Sequence, residues 1–388
     1  MTGSKPARLN SVDLLRGIAM VVMALDHTRD FFHTARFDPL DLTQTTPLLF
    51  ITRWITHHCA PAFVFLAGTG AFLSLSRGKT TSELSRFLLT RGLWLVFLEF
   101  TVVRLGWMFN VDYSFMFIQV IWAIGWSMVV LAGLVHLPRK AIAVFAIGTI
   151  VLHNAFDGIQ PESLGSFGWL WKILHVQSPI FYGTESVLFV AYPLIPWIGV
   201  MAAGYVFGAL LKQDEPSRRK ALYGLGFGLM GGFVILRALN IYGDPHPWSV
   251  QSSAVNTVLS FIDTHKYPPS LLYLMMTLGP AIAVLPLLER WQGRFADFLT
   301  VFGRVPLFYY VLHIYVIHAL AAVAASLTMD DISFVFSNAP WDQWPASYGF
   351  NLGVVYLVWI AVILLLYLPC RWFANLKRKR TDAWLSYF

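Results

Sequence analysis

The sequence predicts an all-α, polytopic integral membrane protein of about ten transmembrane helices with both termini in the cytoplasm. Three observations carry this reading. Charged residues make up only 13% of the chain and apolar types 57%, with a mean hydropathy of +0.60. A soluble domain carries roughly 25% charged residues. The apolar residues gather into runs close to the roughly 20 needed to cross a bilayer. Of the 28 lysines and arginines, 18 fall in loops on one side of the predicted membrane, five on the other, and five inside or at the edge of spans. Basic loops face the cytoplasm. The net charge of +7 therefore reflects topology, and no nucleic-acid partner is expected.

The ten predicted spans form one domain over residues 1–388: 10–32, 55–76, 87–108, 114–135, 140–155, 184–211, 221–242, 269–289, 298–326 and 349–370. Asp13 and Arg16 interrupt the first, so it does not read as a cleavable leader. The second opens on His57 and His58. The third carries Arg91, Glu99 and Arg104, the last two a candidate pair. The fifth is short. The sixth holds Pro193 and Pro196, which predict a kink or a broken helix. In the seventh, Gly224 to Gly232 predict close helix packing. The ninth holds Arg304, His313 and His318. Cys59 and Cys370 fall near opposite faces, so no disulfide is expected between them. Inner loops are short. The long outer loops, 33–54, 156–183, 243–268 and 327–348, are rich in aromatics, which serve as an interfacial belt or as stacking platforms for sugars.

Ionisable groups inside spans are costly and mark functional sites. The first span is the densest in them. Arg16 and His27 are eleven residues apart, and at ~100° per residue they lie within ~20° of one another, separated by roughly 16 Å along the helix. Arg16 sits toward the cytoplasm and His27 toward the outer leaflet. Asp13 is placed to pair with Arg16, and Asp30, at i+3, to orient the His27 imidazole. Asp26 points ~100° away and is the weaker partner on an ideal helix. Arg91 and Arg304 lie toward the cytoplasmic ends of their spans and, with Arg16, suit a phosphate-bearing donor through paired guanidinium hydrogen bonds. Arg104 and Arg237 belong to the outer half. No carboxylate or thiolate accompanies the histidines named here at a familiar ligand spacing, so no metal is expected. No phosphate-cradling glycine loop and no nucleophile-elbow serine is present.

Five blocks together resemble the heparan-alpha-glucosaminide N-acetyltransferase catalytic-domain family in its bacterial branch. They are RLNSVDLLRGIAMVVMALDHTRDFFH (8–33), RWITHHCAPAFVFLAGTGAFLS (53–74), QVIWAIGWSMVVLAGLV (119–135), AYPLIPWIGVMAAGYVFG (191–208) and FGRVPLFYYVLHIYVIH (302–318). The spacing from Arg16 to His27 is also similar to the R-x10-H signature of the wider transmembrane acyltransferase superfamily. The resemblance implies an enzyme of the bacterial inner membrane that takes acetyl from cytosolic acetyl-CoA and passes it to a glycan or glycolipid hydroxyl or amine on the outer side. In the animal branch the functional histidine comes several residues later, which makes His33 a second candidate beside His27. The helical stripe shared with Arg16 favours His27. Asp30 or Asp26 would hold its tautomer. Arg16, Arg91 and Arg304 would anchor the donor phosphates, and His58, Arg53 and Trp54 would face the acceptor. Membrane lipid is the expected surroundings, and a homodimer is compatible with this reading. The rival reading is a transporter or flippase for a small polar or lipid-linked substrate, since buried charges and a proline-broken span also suit a substrate path.

Overall fold

The computed structural model describes residues 10–380 and 382–388. The chain opens with α1 (Asn10–Phe32), which at 23 residues is about 35 Å long. A run of two helices follows, α2 (Pro47–Thr56), capped by the Thr46 hydroxyl, and α3 (Cys59–Leu75). α4 (Thr81–Leu98) starts in a capping box in which Thr80 and Glu83 satisfy each other's backbone N–H. It continues through a π-turn (Glu99–Val103) into α5 (Arg104–Met108). Strand β1 (Phe115–Ile118) leads into α6 (Val120–Leu134), and α7 (Arg139–Leu152) follows.

Next come α8 (Gly168–Leu174) and the hairpin of β2 (Ser178–Tyr182) and β3 (Ser186–Val190). Then come α9 (Leu194–Phe207), α10 (Glu215–Leu239), α11 (Ala254–Ile262), α12 (Leu271–Leu288), α13 (Arg294–Arg304), α14 (Pro306–Thr328) and α15 (Leu352–Lys379). Side-chain oxygens of Asp214, Ser253, Ser270 and Asn351 cap α10, α11, α12 and α15.

The protein is mainly helical and integral to the membrane. Seven helical runs are long and apolar enough to cross: Pro47–Leu75, Arg139–Phe156, Leu194–Lys212, Glu215–Leu239, Leu271–Leu288, Pro306–Thr328 and Leu352–Lys379. α6 is apolar but shorter, and α1 and α4 carry too many charges to qualify by composition. Each of the ten predicted spans contains a helix, while the count of ten crossings goes beyond these seven. α1 lies centrally, against α2, α3, α12, α13, α14 and α15. α10 and α15 lie at the periphery and turn large apolar side chains outward, among them Phe227, Ile235, Leu364 and Leu368.

Three local expectations are corrected. Within the mainly helical fold, β1, β3 and β2 form a small three-stranded sheet in that order, with β1 parallel and β2 antiparallel to β3. Two predicted spans, 114–135 and 184–211, therefore begin as strands. Pro193 and Pro196 do not break a helix but start one: Pro193 caps α9 and Pro196 lies in its first turn, where a missing N–H costs nothing. The predicted ninth span is two helices divided at Val305, because Pro306 disfavours helical backbone at the preceding residue and then opens α14 at its first position. Of the Gly224–Gly232 stretch, Gly226 meets Ala283 of α12 and Gly232 meets Met275, while Gly224, Gly228 and Gly231 face open space. Cys59 and Cys370 are buried free thiols.

Candidate active site

Two glycines set one end of the site. A Cβ on Gly17 would stand 2.0 Å from the Leu299 carbonyl oxygen, and one on Gly303 would stand 1.8 Å from that of Asp13. α1 and α13 thus cross backbone to backbone, as only glycine allows. The crossing brings together the residues beside those glycines, Arg16 and Arg304. A second close approach, Gly92 of α4 on Gly125 of α6, seats the α4 turn that carries Arg91.

The three arginines line one cavity of about 330 Å3. Arg77, Lys79 and Lys377 share its wall, and among the described residues no carboxylate lines it. The Arg16 Nη1 donates to Asp13 Oδ1 at 3.2 Å and to the Gly303 carbonyl at 3.2 Å, which confirms the predicted Asp13 pair and fixes the guanidinium at the helix crossing. Arg91 donates to the Ser386 carbonyl at 2.7 Å. Lys79 lies over the Phe87 ring, 4.0 Å from its centroid. Six cationic groups surround one space, and Asp13 is paired with one of them, so the cavity has the charge and donors to suit an anion.

Away from the basic residues, the cavity is walled by apolar side chains, including Met20 and Val120, and by Tyr310. The Tyr310 ring in turn stands edge-on to both His27, at 6.4 Å, and His313, at 5.5 Å. Tyr310 is thus the wall between the cationic cavity and a histidine pair.

That pair joins α1 to α14. His27 Nδ1 lies 2.7 Å from His313 Nε2, and the rings stack at 4.9 Å with 20° between their planes. His313 Nδ1 lies 3.1 Å from the Tyr309 carbonyl. A carbonyl only accepts, so the Nδ1 of His313 carries a proton, and its neutral ring offers Nε2 as acceptor. His27 Nδ1 must then donate. The tautomer this imposes leaves the lone pair of a neutral His27 on Nε2. His27 is also the partly accessible member of an otherwise buried stretch, Met23 to Phe32. Trp107 packs edge-on against it at 4.9 Å.

The expected carboxylate partner of His27 is corrected. Asp30 accepts from Arg29 Nη2 at 2.5 Å, and Asp26 bonds to Arg53 of α2 and pairs with Arg29 at 2.9 Å. Two acids and two guanidinium groups form a balanced, largely buried network that locks α2 to the C-terminal end of α1. A buried charge is tolerable only when paired in this way. Arg29 was missed as a member: its i+3 spacing from Asp26 was the available signal, but its place near a loop read as topology.

His33 lies one residue beyond α1. Its Nδ1 accepts the Ala35 N–H at 2.9 Å, and its backbone bridges to Phe350. Burial and the nearby Arg29 and Arg36 charges hold this imidazole below its ordinary range. With Nδ1 an acceptor, the neutral ring carries its proton on Nε2, the reverse of His27. His58 is near the Thr277 carbonyl at 3.4 Å and stands edge-on to Trp54, whose indole donates to the Ile262 carbonyl at 3.2 Å.

Other expectations resolve into structural roles. Glu99 does not pair with Arg104: it accepts the backbone N–H groups of Gln119 and Trp122 at 3.0 and 2.9 Å and so caps α6. Arg104 instead donates to the Asn110 and Asp112 carbonyls and to Asn338, tying together the loops before β1 and after α14. Arg237 does the same through the carbonyls of Phe261, His246, Ser260 and Asp263. His318 is held between the Gly106 and Val335 carbonyls. Among the outer aromatics, Trp344 and Tyr348 are buried packing residues, whereas Phe167 and Trp169 are exposed.

A bundle of apolar helices with a histidine pair beside a cationic cavity marks an integral membrane protein with a candidate anion-binding site. The family description heparan-alpha-glucosaminide N-acetyltransferase, catalytic, matches residues 8–242, and the chain belongs to that family of transmembrane acetyltransferases. The match takes in Arg16, His27, Arg53 and Arg91, while His313 and Arg304 lie beyond it. No curated protein matches the chain.

Proposed function

We propose that this protein moves an acetyl group from cytosolic acetyl-CoA to a hydroxyl or amine of a glycan or glycolipid on the outer side of a bacterial inner membrane, with both of its termini cytoplasmic. The observation that carries the reading is the sharing of Tyr310 between the cavity of Arg16, Arg91 and Arg304 and the pair of His27 and His313. Phosphates of the donor are held by the arginines and the lysines beside them, and its acyl arm follows the apolar wall toward the histidines. No CoA needs to cross.

At the histidine, Nε2 of His27 accepts the proton of the acceptor hydroxyl or amine as that oxygen or nitrogen attacks the thioester carbonyl carbon. The C–O or C–N bond forms, the C–S bond breaks, and the thiolate leaves toward the cytoplasm and regains a proton. Alternatively, Nε2 takes the acetyl first and gives it to the acceptor in a second step. In both routes His313 keeps Nε2 basic by accepting from Nδ1. The Nδ1 of His33 is already occupied by the Ala35 N–H, which supports His27 over His33 as the base. Arg53, His58 and Trp54 sit on the outer side of this centre for the acceptor, and Asp26 and Asp30 hold its frame.

The test uses sealed vesicles bearing the purified full chain, with labelled acetyl-CoA on the face of the basic loops and an amino sugar or a hydroxylated oligosaccharide inside. Acetylated acceptor inside the vesicles is expected. Translocation of unmodified sugar without label transfer would replace the reading with a transporter.

A further inference from the structure

We infer that the outer segment between α7 and β2 holds a divalent transition-metal ion of the zinc class, bound by His153, Asp157 and His175. None of these belongs to the acyl-transfer site. α7 ends at Leu152, and a 3-10 turn (His153–Phe156) projects His153 and Asp157 one turn apart, at i and i+4. His175 follows the end of α8 and folds back onto them, its Nε2 3.1 Å from Asp157 Oδ1. One donor atom from each of the three lies within 4.8 Å of the others.

Burial and hydrogen bonding separate this group from an ordinary His–Asp contact. His153 and His175 are each 2% exposed. Both ring nitrogens of His153 and the Nδ1 of His175 lack a hydrogen-bond partner in the protein. The Pro269 carbonyl faces the His153 ring without forming a well-made bond to it. A buried imidazole with neither nitrogen satisfied costs about 1–3 kcal/mol per group and calls for an explanation. A cation supplies one, because an imidazole nitrogen and a carboxylate oxygen are its natural ligands.

The surroundings fit a metal site. Asp157 is oriented by Asn154, whose Nδ2 donates to Oδ2 at 2.8 Å, leaving Oδ1 toward the histidines. An outer partner of this kind is what fixes a ligating carboxylate. Trp171 walls the site, tilted against the His175 ring at 4.8 Å, and its indole is itself fixed by the Ile159 carbonyl at 2.9 Å. Two imidazoles and one carboxylate, with the aspartate still reached by solvent, give the three-ligand, open-position pattern, in which water takes the fourth place. Ligand bonds of about 2.0–2.1 Å put tetrahedral donors about 3.3 Å apart, so those now within 4.8 Å must draw together by up to roughly 1.5 Å on the ion. The bound ion joins the outer end of α7 to the end of α8. It also bears on the start of α12, because Asn154 Oδ1 accepts the Leu271 N–H at 2.9 Å. It is therefore a clamp on the outer loops, distinct from the transfer chemistry.

The experiment uses the tag-free full chain in detergent, stripped with chelator, desalted and reloaded with zinc. Mass-spectrometric metal analysis is expected to find about one zinc per chain, with a rise in thermal midpoint on loading. Cobalt in its place should give the visible bands of a tetrahedral site. His175→Ala, and separately Asp157→Asn, should lower zinc affinity by at least about 10²-fold and abolish the midpoint shift, while His136→Gln, an exposed histidine elsewhere, leaves both unchanged. Asp157→Asn is isosteric at a solvent-reached position, so it tests the ligand even if a histidine variant fails to fold. A stripped chain that takes up no stoichiometric zinc, or uptake that survives both variants, would overturn the inference.

Discussion

His27 Nδ1 and His313 Nε2 are 2.7 Å apart, although 286 residues separate them in the chain. In the proposed mechanism, the relay from the Tyr309 carbonyl through His313 to His27 does with an imidazole what a carboxylate does in a hydrolase triad: it selects the tautomer of the proposed base and holds the ring. It differs in one respect. An aspartate would also stabilise an imidazolium by charge, whereas neutral His313 offers only a lone pair. The compensating negative charge nearby belongs to Asp26, which is itself bound to Arg53.

The first expectation concerns the base. His27→Asn should fold, insert and bind acetyl-CoA, yet lose acetyl transfer by at least about 10²-fold, because an amide accepts no proton near neutral pH and general-base catalysis contributes roughly 10²–10⁴-fold. His33→Asn should lose far less, since its Nδ1 serves the Ala35 N–H. Rates measured side by side in proteoliposomes decide. An exchange of the two results would place the chemistry at His33.

In the proposed mechanism His313 acts on substrate only through His27. His313→Gln retains an amide oxygen near the position of Nε2 and should keep part of the rate, whereas His313→Phe keeps the stacked ring and loses the acceptor. The aromatic variant should reduce kcat by roughly 10–10²-fold with KM for acetyl-CoA little changed, a part of the full general-base contribution. A merely packing role for His313 predicts the reverse order of the two variants.

Donor affinity tests the cationic cavity. Substituting Arg16, Arg91 or Arg304 by Gln should each weaken acetyl-CoA binding by about tenfold or more, on the scale of about 1.5–3 kcal/mol for a hydrogen bond to a charged group. Arg16→Gln carries an added structural cost through Asp13 and Gly303, so Arg304, exposed at the mouth, gives the cleaner reading. Titration calorimetry in detergent measures this. Unchanged affinity across all three variants would reduce them to headgroup contacts.

How much of this was legible follows from the range of each interaction. The alignment of Arg16 with His27 came from helix periodicity alone, because α1 is one unbroken helix, and the shared depth of Arg91 and Arg304 followed from their places in apolar runs. The His313 partner could not be read, since pairing across 286 residues depends on how α1 and α14 pack. Asp30 was assigned to His27 by a correct spacing rule, but Arg29, a full charge beside it, takes the carboxylate. β1 was hidden because FMFI joined to the apolar start of α6 has the composition of a span. The split at Val305 was signalled by Pro306 and overlooked within a long apolar stretch.

Topology is tested from the charge asymmetry. A fluorescent-protein fusion at the C-terminus should glow and an alkaline phosphatase fusion there should be inactive, as basic flanks such as Lys377 to Arg380 require of a cytoplasmic end. An active phosphatase fusion would invert the bundle and put the cationic cavity on the outer face.

The outer loops carry a pH dependence of their own. Asp263, which ends α11, is half-buried, and burial together with the Asp38 and Asp244 charges raises its carboxyl from 3.8 to about 7, against the pull of Arg237. The folded protein therefore holds this proton more tightly than the unfolded chain. Its contribution to stability is complete below the unfolded value, near 3.9, and is lost as pH rises toward and through about 7. Asp263→Asn removes the titration while keeping the shape. The variant should match the wild type near pH 4.5 and exceed it at pH 8, by about 1–2 kcal/mol once the full shift of roughly 4 kcal/mol is reduced for solvent screening. Thermal midpoints of both proteins across that interval provide the measurement. Parallel curves from pH 4.5 to 8 would mean that Arg237 neutralises the acid cluster, and that Asp263 is ionised throughout.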